Sequence, residues 1–179
     1  MEDFSKAVWE SGAVYLRLET EEDKKVTERI ELEDLASVSG EACAQSIMDV
    51  MTIIRSTRKE CRPVALLKET DEIIGVCEIR NPGDEMPVLS ITLGQKYRGQ
   101  GYGRMVADAL LRVASDLSPA DAFLWECEAD NEASICLARG LGGEPLPDRE
   151  KTGIDAFNDI LGGGDGEGDV ILGFRIPRR

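Results

Sequence analysis

Val88-Leu-Ser-Ile-Thr-Leu93, Gly94-Gln-Lys-Tyr-Arg-Gly-Gln-Gly-Tyr-Gly103 and Arg104-Met-Val-Ala-Asp-Ala-Leu-Leu-Arg-Val-Ala-Ser-Asp-Leu117 read as an apolar strand, a glycine-rich loop and an amphipathic helix. Glycine lacks the Cβ that would keep a ligand away from the backbone. A helix that begins at such a loop adds unpaired N–H donors and the positive end of its dipole. The segment is therefore an anion seat, suited above all to phosphates.

Outward from the seat, Ser118-Pro119 ends the helix and Phe123-Leu-Trp-Glu-Cys127 is the next strand. Asp130-Asn131 caps a helix carrying Ile135, Leu137, Ala138 and Leu141, closed by Gly140 to Gly143. Upstream, Pro63 to Lys68 and Ile73 to Ile79 form a β-hairpin across Glu69-Thr-Asp-Glu72, and Asn81 to Asp84 is a turn. Ala13 to Glu19 alternates as a half-buried strand, and Val26 to Ile30 reads as a second strand or as the entry to a helix. From Leu32 to about Arg58 the apolar positions recur at helical spacing, with Ser39-Gly40 as a break. Residues 1–12 are a lead-in with Trp9 as an anchor, Val170 to Ile176 is a last strand, and 144–169 is a loop-rich insertion before it. Within that insertion Ile154 to Leu161 has a short helical pattern; Asp165, Glu167 and Asp169 alternate but miss the EF-hand spacing. One strand–helix–strand crossover among many strands makes the class α/β or α+β around a mixed sheet.

The 179 residues suit a single domain spanning 1–179. A net charge of -14 argues against nucleic acid as a partner and leans towards a cationic one. The chain has no His, which excludes Ser-His-Asp and Cys-His catalysis and most metal sites, so no metal is expected. Five cysteines without a C-x-x-C pair suggest a reducing, cytoplasmic setting, and neither a signal peptide nor a membrane span is read.

Three phosphate loops compete for Gly94 to Gly103. A P-loop fails because Gln100-Gly101 stands where Lys-Ser/Thr must follow. A dinucleotide loop fits poorly, with Arg104 in place of its third glycine, although Asp121 lies near the distance expected of a ribose ligand. The pattern R-x-x-G-x-G is met by Arg98-Gly99-Gln100-Gly101-Tyr102-Gly103. Here the chain resembles the GCN5-related N-acetyltransferase (GNAT) family, whose motif seats the pyrophosphate of acetyl-coenzyme A. Asn131-Glu-Ala-Ser134, followed by Gly142, is similar to that family's second block. That block is closest to the ribosomal-protein N-terminal acetyltransferase subgroup.

The resemblance implies a mixed, mostly antiparallel sheet of about seven strands flanked by helices. It implies a chain that moves the acetyl group of acetyl-CoA to a primary amine, on a small cationic molecule or a peptide N-terminus, by direct transfer in a ternary complex. Leu93 would end the strand that splays from its neighbour, and its N–H would polarise the thioester carbonyl. Amides from Arg98 to Arg104 (Arg98, Gly99, Gln100, Gly101, Tyr102, Gly103, Arg104) would cradle the diphosphate, and Asn131 would bind the pantetheine arm or cap its helix. Without His the base would be a carboxylate: Glu126 and Glu128, which alternation sets on the face opposite Cys127, or Glu78. Many members carry Tyr where this chain has Ala138, so Ser134 would be the partner of the departing thiolate, or would bond only backbone. Cys127 and Cys136 are expected to be buried structural thiols. The alternative is a CoA-binding regulatory or interaction module with little or no turnover; a longer acyl donor and a homodimer are further options.

Overall fold

A computed structural model describes residues 7–57, 59–147 and 171–179. The strands are β1 (Trp9–Ser11), β2 (Val14–Leu18), β3 (Glu60–Cys61), β4 (Pro63–Leu67), β5 (Ile73–Arg80), β6 (Val88–Leu93), β7 (Ala122–Glu128), β8 (Glu144–Pro145) and β9 (Ile171–Pro177). The helices are α1 (Lys24–Ser39), α2 (Glu41–Thr57), α3 (Tyr102–Leu117) and α4 (Glu132–Gly140), with a 3-10 turn over Gln95–Tyr97. They build one nine-stranded sheet in the order β1-β2-β4-β5-β6-β7-β9-β8, with β3 on the β5 edge as a continuation of β4. Every pairing is antiparallel except β6 with β7. This is the mixed, mostly antiparallel sheet that the sequence implied. The resemblance implied about seven strands; the described residues hold nine, and three of these, β1, β3 and β8, are only two or three residues long.

Register assigns each side chain to a face. Ile79, Cys77, Leu89, Phe123, Trp125, Phe174 and Ile176 point to the face carrying α3 and α4, and with Val106, Leu110 and Leu111 of α3 they form the core. The opposite face is polar at its centre, with Glu78 beside Ser90, Arg80 beside Val88, and Glu126 and Glu128 on β7. Helix α1 lies over that face against β5 and β6, and α2 packs on α1.

Two local readings change. Val26 to Ile30 lies inside α1, where Thr27, Ile30 and Glu31 are the buried positions, a helical i, i+3, i+4 set that a five-residue window cannot separate from a strand. The lead-in contains β1, joined to β2 across Gly12 at φ +56° and anchored as expected by Trp9, whose indole N–H donates to Asp116 at 2.6 Å. The Ile154 to Leu161 pattern and the alternating acids at 165–169 lie outside the described residues. No helix among the described residues is long and apolar enough to cross a membrane.

Candidate active site

Parallel strands β6 and β7 are paired only at Val88–Leu124 and Leu89–Trp125, while β7 stays paired to β9 as far as Glu128. Beyond those two pairs β6 and β7 part, and a wedge opens between Ser90–Leu93 and Glu126–Glu128. The N–H of Leu124 donates to the carbonyl of Pro87 at 2.9 Å. Strand alternation then turns the backbone groups of Ile91 and Leu93 to that same side, into the wedge. The Leu93 peptide is held from both directions. Its carbonyl accepts from Nε of Arg98 at 2.9 Å, and the following N–H, of Gly94, donates to Ile74 at 2.9 Å. Gly75 makes this end of β6 buildable, since a Cβ there would sit 2.7 Å from Leu93 Cδ2 and 2.8 Å from the Thr92 carbonyl oxygen.

At the mouth of the wedge the loop climbs through Gly99 (φ +72°) and Gly101 (φ +83°), and α3 begins at Tyr102. Both glycines face open space, the left-handed backbone is what requires them, and no side chain caps α3. The opening N–H groups of α3 are therefore left to a ligand or solvent. Gly103 rests against Leu137 of α4 and Leu93, with 3.5 and 3.7 Å from an added Cβ, which brings the starts of the two helices to the wedge. Tyr102 meets the Tyr97 ring edge-on, centroids 6.3 Å apart.

The cations at this mouth are already paired. Lys96 bridges to Glu72 at 2.7 Å and lies over the Tyr97 ring. Arg104 turns along α3 to Asp108 at 3.0 Å and covers Gly140. Arg98 pairs with Asp34 of α1 at 2.5 Å. Gln100 donates to the Lys96 carbonyl. The loop thus offers an anion backbone N–H groups, with side-chain charge flanking them.

On the far wall Asn131 caps α4, its Oδ1 accepting from the Ser134 N–H at 3.0 Å. The Ser134 hydroxyl accepts from Nε1 of the buried Trp125 at 2.8 Å. Burial raises the pKa of Cys127, and Ser134 opposes that rise. Ser134 is thus tied to a side chain of β7, which overturns the alternative that it bonds only backbone. Cys136, expected to be buried, is exposed, because it lies on the face of α4 away from the buried Ala138.

Of the carboxylates, Glu78 accepts from Arg55 of α2, from Arg62 at 2.7 Å and from Ser90 at 3.4 Å. The same arginines hold Glu31 of α1, at 2.7 Å from Arg55 and 3.2 Å from Arg62, and Arg62 also pairs with Glu19 at 2.9 Å. Burial works against the Arg62 charge, but Glu31, Glu19 and Glu78 outweigh it and raise its pKa. Glu60, paired across the ladder with Arg80, is pushed up by burial and by the charge of Glu78. Glu126, its side chain 5% exposed, lies 3.9 Å from Arg80, and Glu128 is half-buried further out on the same face.

A family model described as an acetyltransferase (GNAT) domain matches residues 15–144. The chain belongs to the GNAT family. Its fold is shared with the RimL ribosomal L7/L12 alpha-N-protein acetyltransferase in complex with coenzyme A, at 14% identity and TM-score 0.65, covering 96% of this chain and 98% of that one. It is also shared with spermidine N-acetyltransferase from Vibrio cholerae in complex with CoA and spermine, at 13% identity and TM-score 0.67, covering 93% and 96%. A GNAT-family acetyltransferase from Bacillus anthracis is similar at 13% identity and TM-score 0.67, covering 96% and 99%. No curated protein sequence matches significantly.

In this GNAT chain the residues singled out in the sequence fall around one wedge: Leu93 on one wall, Gly99 to Arg104 at the mouth, Asn131 and Ser134 at the start of α4, and Glu126 and Glu128 on the face towards α1. The sequence reading missed Trp125, which holds Ser134, and Asp34, which holds Arg98. Trp125 carries a signal, because a Trp on a buried strand needs an acceptor for its N–H. Asp34 carries none, being one acid among many on a helix.

Proposed function

We propose that this GNAT chain, working as a single domain, transfers the acetyl group of acetyl-CoA to a primary amine by direct transfer in a ternary complex. The observation that carries the reading is the parting of β6 and β7 after two pairs, with an uncapped helix at the open end. The residues fit the donor: Gly99 and Gly101 leave open space where other residues would project a Cβ, and backbone amides from Arg98 to Arg104 meet the diphosphate. The pantetheine arm lies in the wedge, near Asn131. Acetyl-CoA brings an activated thioester. The N–H of Leu93, which precedes the Leu93–Gly94 peptide held by Arg98 and Ile74, polarises its carbonyl oxygen.

The amine arrives on the polar face beneath α1. A proton must leave it, through water, to a carboxylate of this face: Glu126 beside Arg80, or Glu128 further out. Glu78 is already occupied by two arginines and Ser90. Ser134 serves the departing sulfur with its O–H while its oxygen stays bonded to Trp125. The acidic balance favours a cationic acceptor, either a small polyamine-like molecule or a peptide N-terminus. Five cysteines without a C-x-x-C pair favour work in the reducing cytoplasm.

The test combines a melting assay with acetyl-CoA and mass detection of acetylated product from spermidine and from a basic peptide with a free N-terminus. Stabilisation plus product is the expected result. Absence of stabilisation sinks the donor site, while stabilisation with no product from any amine favours the binding module instead.

A further inference from the structure

Arg98 differs from the other cations of the loop in what it holds. Its Nε fixes the carbonyl of Leu93 at 2.9 Å, and its Nη2 reaches Asp34. Asp34 belongs to α1, the helix that roofs the acceptor face and is tied to Glu78 through Glu31, Arg55 and Arg62. A second tie runs beside the first, from Gln95 Nε2 to the Glu33 carbonyl at 3.3 Å. The loop that would seat the donor and the helix that would meet the acceptor are joined at adjacent positions.

We infer that Arg98 is a positioning residue: it orients the Leu93 peptide and, through Asp34, couples occupancy of the donor seat to the order of α1. The inference rests on the reading of Gly99–Gly103 as the coenzyme A seat. A ligand that stills this loop stills Arg98, and the restraint passes through the ion pair to the last turns of α1. Linkage makes the effect reciprocal, so an ordered α1 favours the seated donor. The pair is partly exposed, at 43% for Arg98 and 35% for Asp34, so its weight corresponds to a factor of about two to five in an equilibrium.

Hydrogen–deuterium exchange with added coenzyme A tests this on the full chain and on Asp34→Asn and Asp34→Glu. In the unmodified chain coenzyme A slows exchange across 93–104 and also across 34–40, the latter by about two- to fivefold. Asp34→Asn keeps the first effect, loses most of the second and leaves the coenzyme A dissociation constant within about twofold. Asp34→Glu restores the second effect. Equal slowing of 34–40 in Asp34→Asn overturns the coupling. So does tighter coenzyme A binding with a steeper salt dependence, because Arg98 released from Asp34 would then be acting as a phosphate ligand. No slowing across 93–104 in the unmodified chain overturns the seat itself, a separate failure.

Discussion

Gly101 opens α3 at φ +83° with nothing near its missing Cβ. Gly101→Ala is therefore expected to cost about 1–2 kcal/mol in a urea titration through backbone strain alone. Coenzyme A affinity should also fall, by about tenfold or more, because the Cβ enters the space a phosphate would use. Ser134 separates structural from chemical roles in a similar way. Ser134→Ala removes the acceptor of a buried indole N–H, so a stability loss of about 1–3 kcal/mol is expected without any donor present. Unchanged stability would mean that the Trp125 bond contributes nothing. Thiol chemistry follows burial: Cys43 and Cys136 are exposed and should alkylate first, as read by mass spectrometry. Cys61, half-buried and pushed up to about 11 by burial, should label more slowly, and the fully buried Cys77, raised by the same cause, only on unfolding.

Helix α1 is held by charge more than by apolar contact. Arg55 and Arg62 bind Glu31 and Glu78 between the helix pair and the sheet, with arginine side chains only 16–17% exposed. Removing one member leaves the others uncompensated, so Arg62→Ala is expected to destabilise by about 3–5 kcal/mol in urea. At the start of α1, Asp23 accepts from Arg17, Thr20 N–H and the Thr20 hydroxyl. The Arg17 bond, opposed by burial, holds its carboxyl at about 2, below the usual 3.8. A lowered folded pKa gives a stability contribution that is complete above the unfolded value and is lost as pH falls through about 2. The gap in urea midpoint between Asp23→Asn and the unmodified chain should thus be full at neutral pH and close on acidification. Helices α3 and α4, the β4–β5 hairpin and strands β6 and β7 were legible because each repeats its period over several residues. The strand-or-helix ambiguity at Val26 to Ile30 was settled by Glu31, a charge buried by partners distant in sequence.

At the scale of the molecule, a donor that binds only the folded chain must stabilise it. Acetyl-CoA at a hundred times its dissociation constant should add about 2.7 kcal/mol, which in a domain of this size raises Tm by roughly 5–10 °C. No shift at saturating donor would overturn the proposed function. The sequence by itself determined the strand–loop–helix seat, because glycine spacing and hydrophobic period are local properties of the chain. It also determined the likeness to the GNAT family and the sharing of one face by Glu126 and Glu128. Tertiary structure alone decided that Glu78 is bound up with Arg55 and Arg62, that Ser134 answers to Trp125, and that Arg98 reaches back to Asp34 on α1. Each of those pairings joins elements that only sheet order and register bring together. No spacing along the chain encodes which of many acids an arginine will meet.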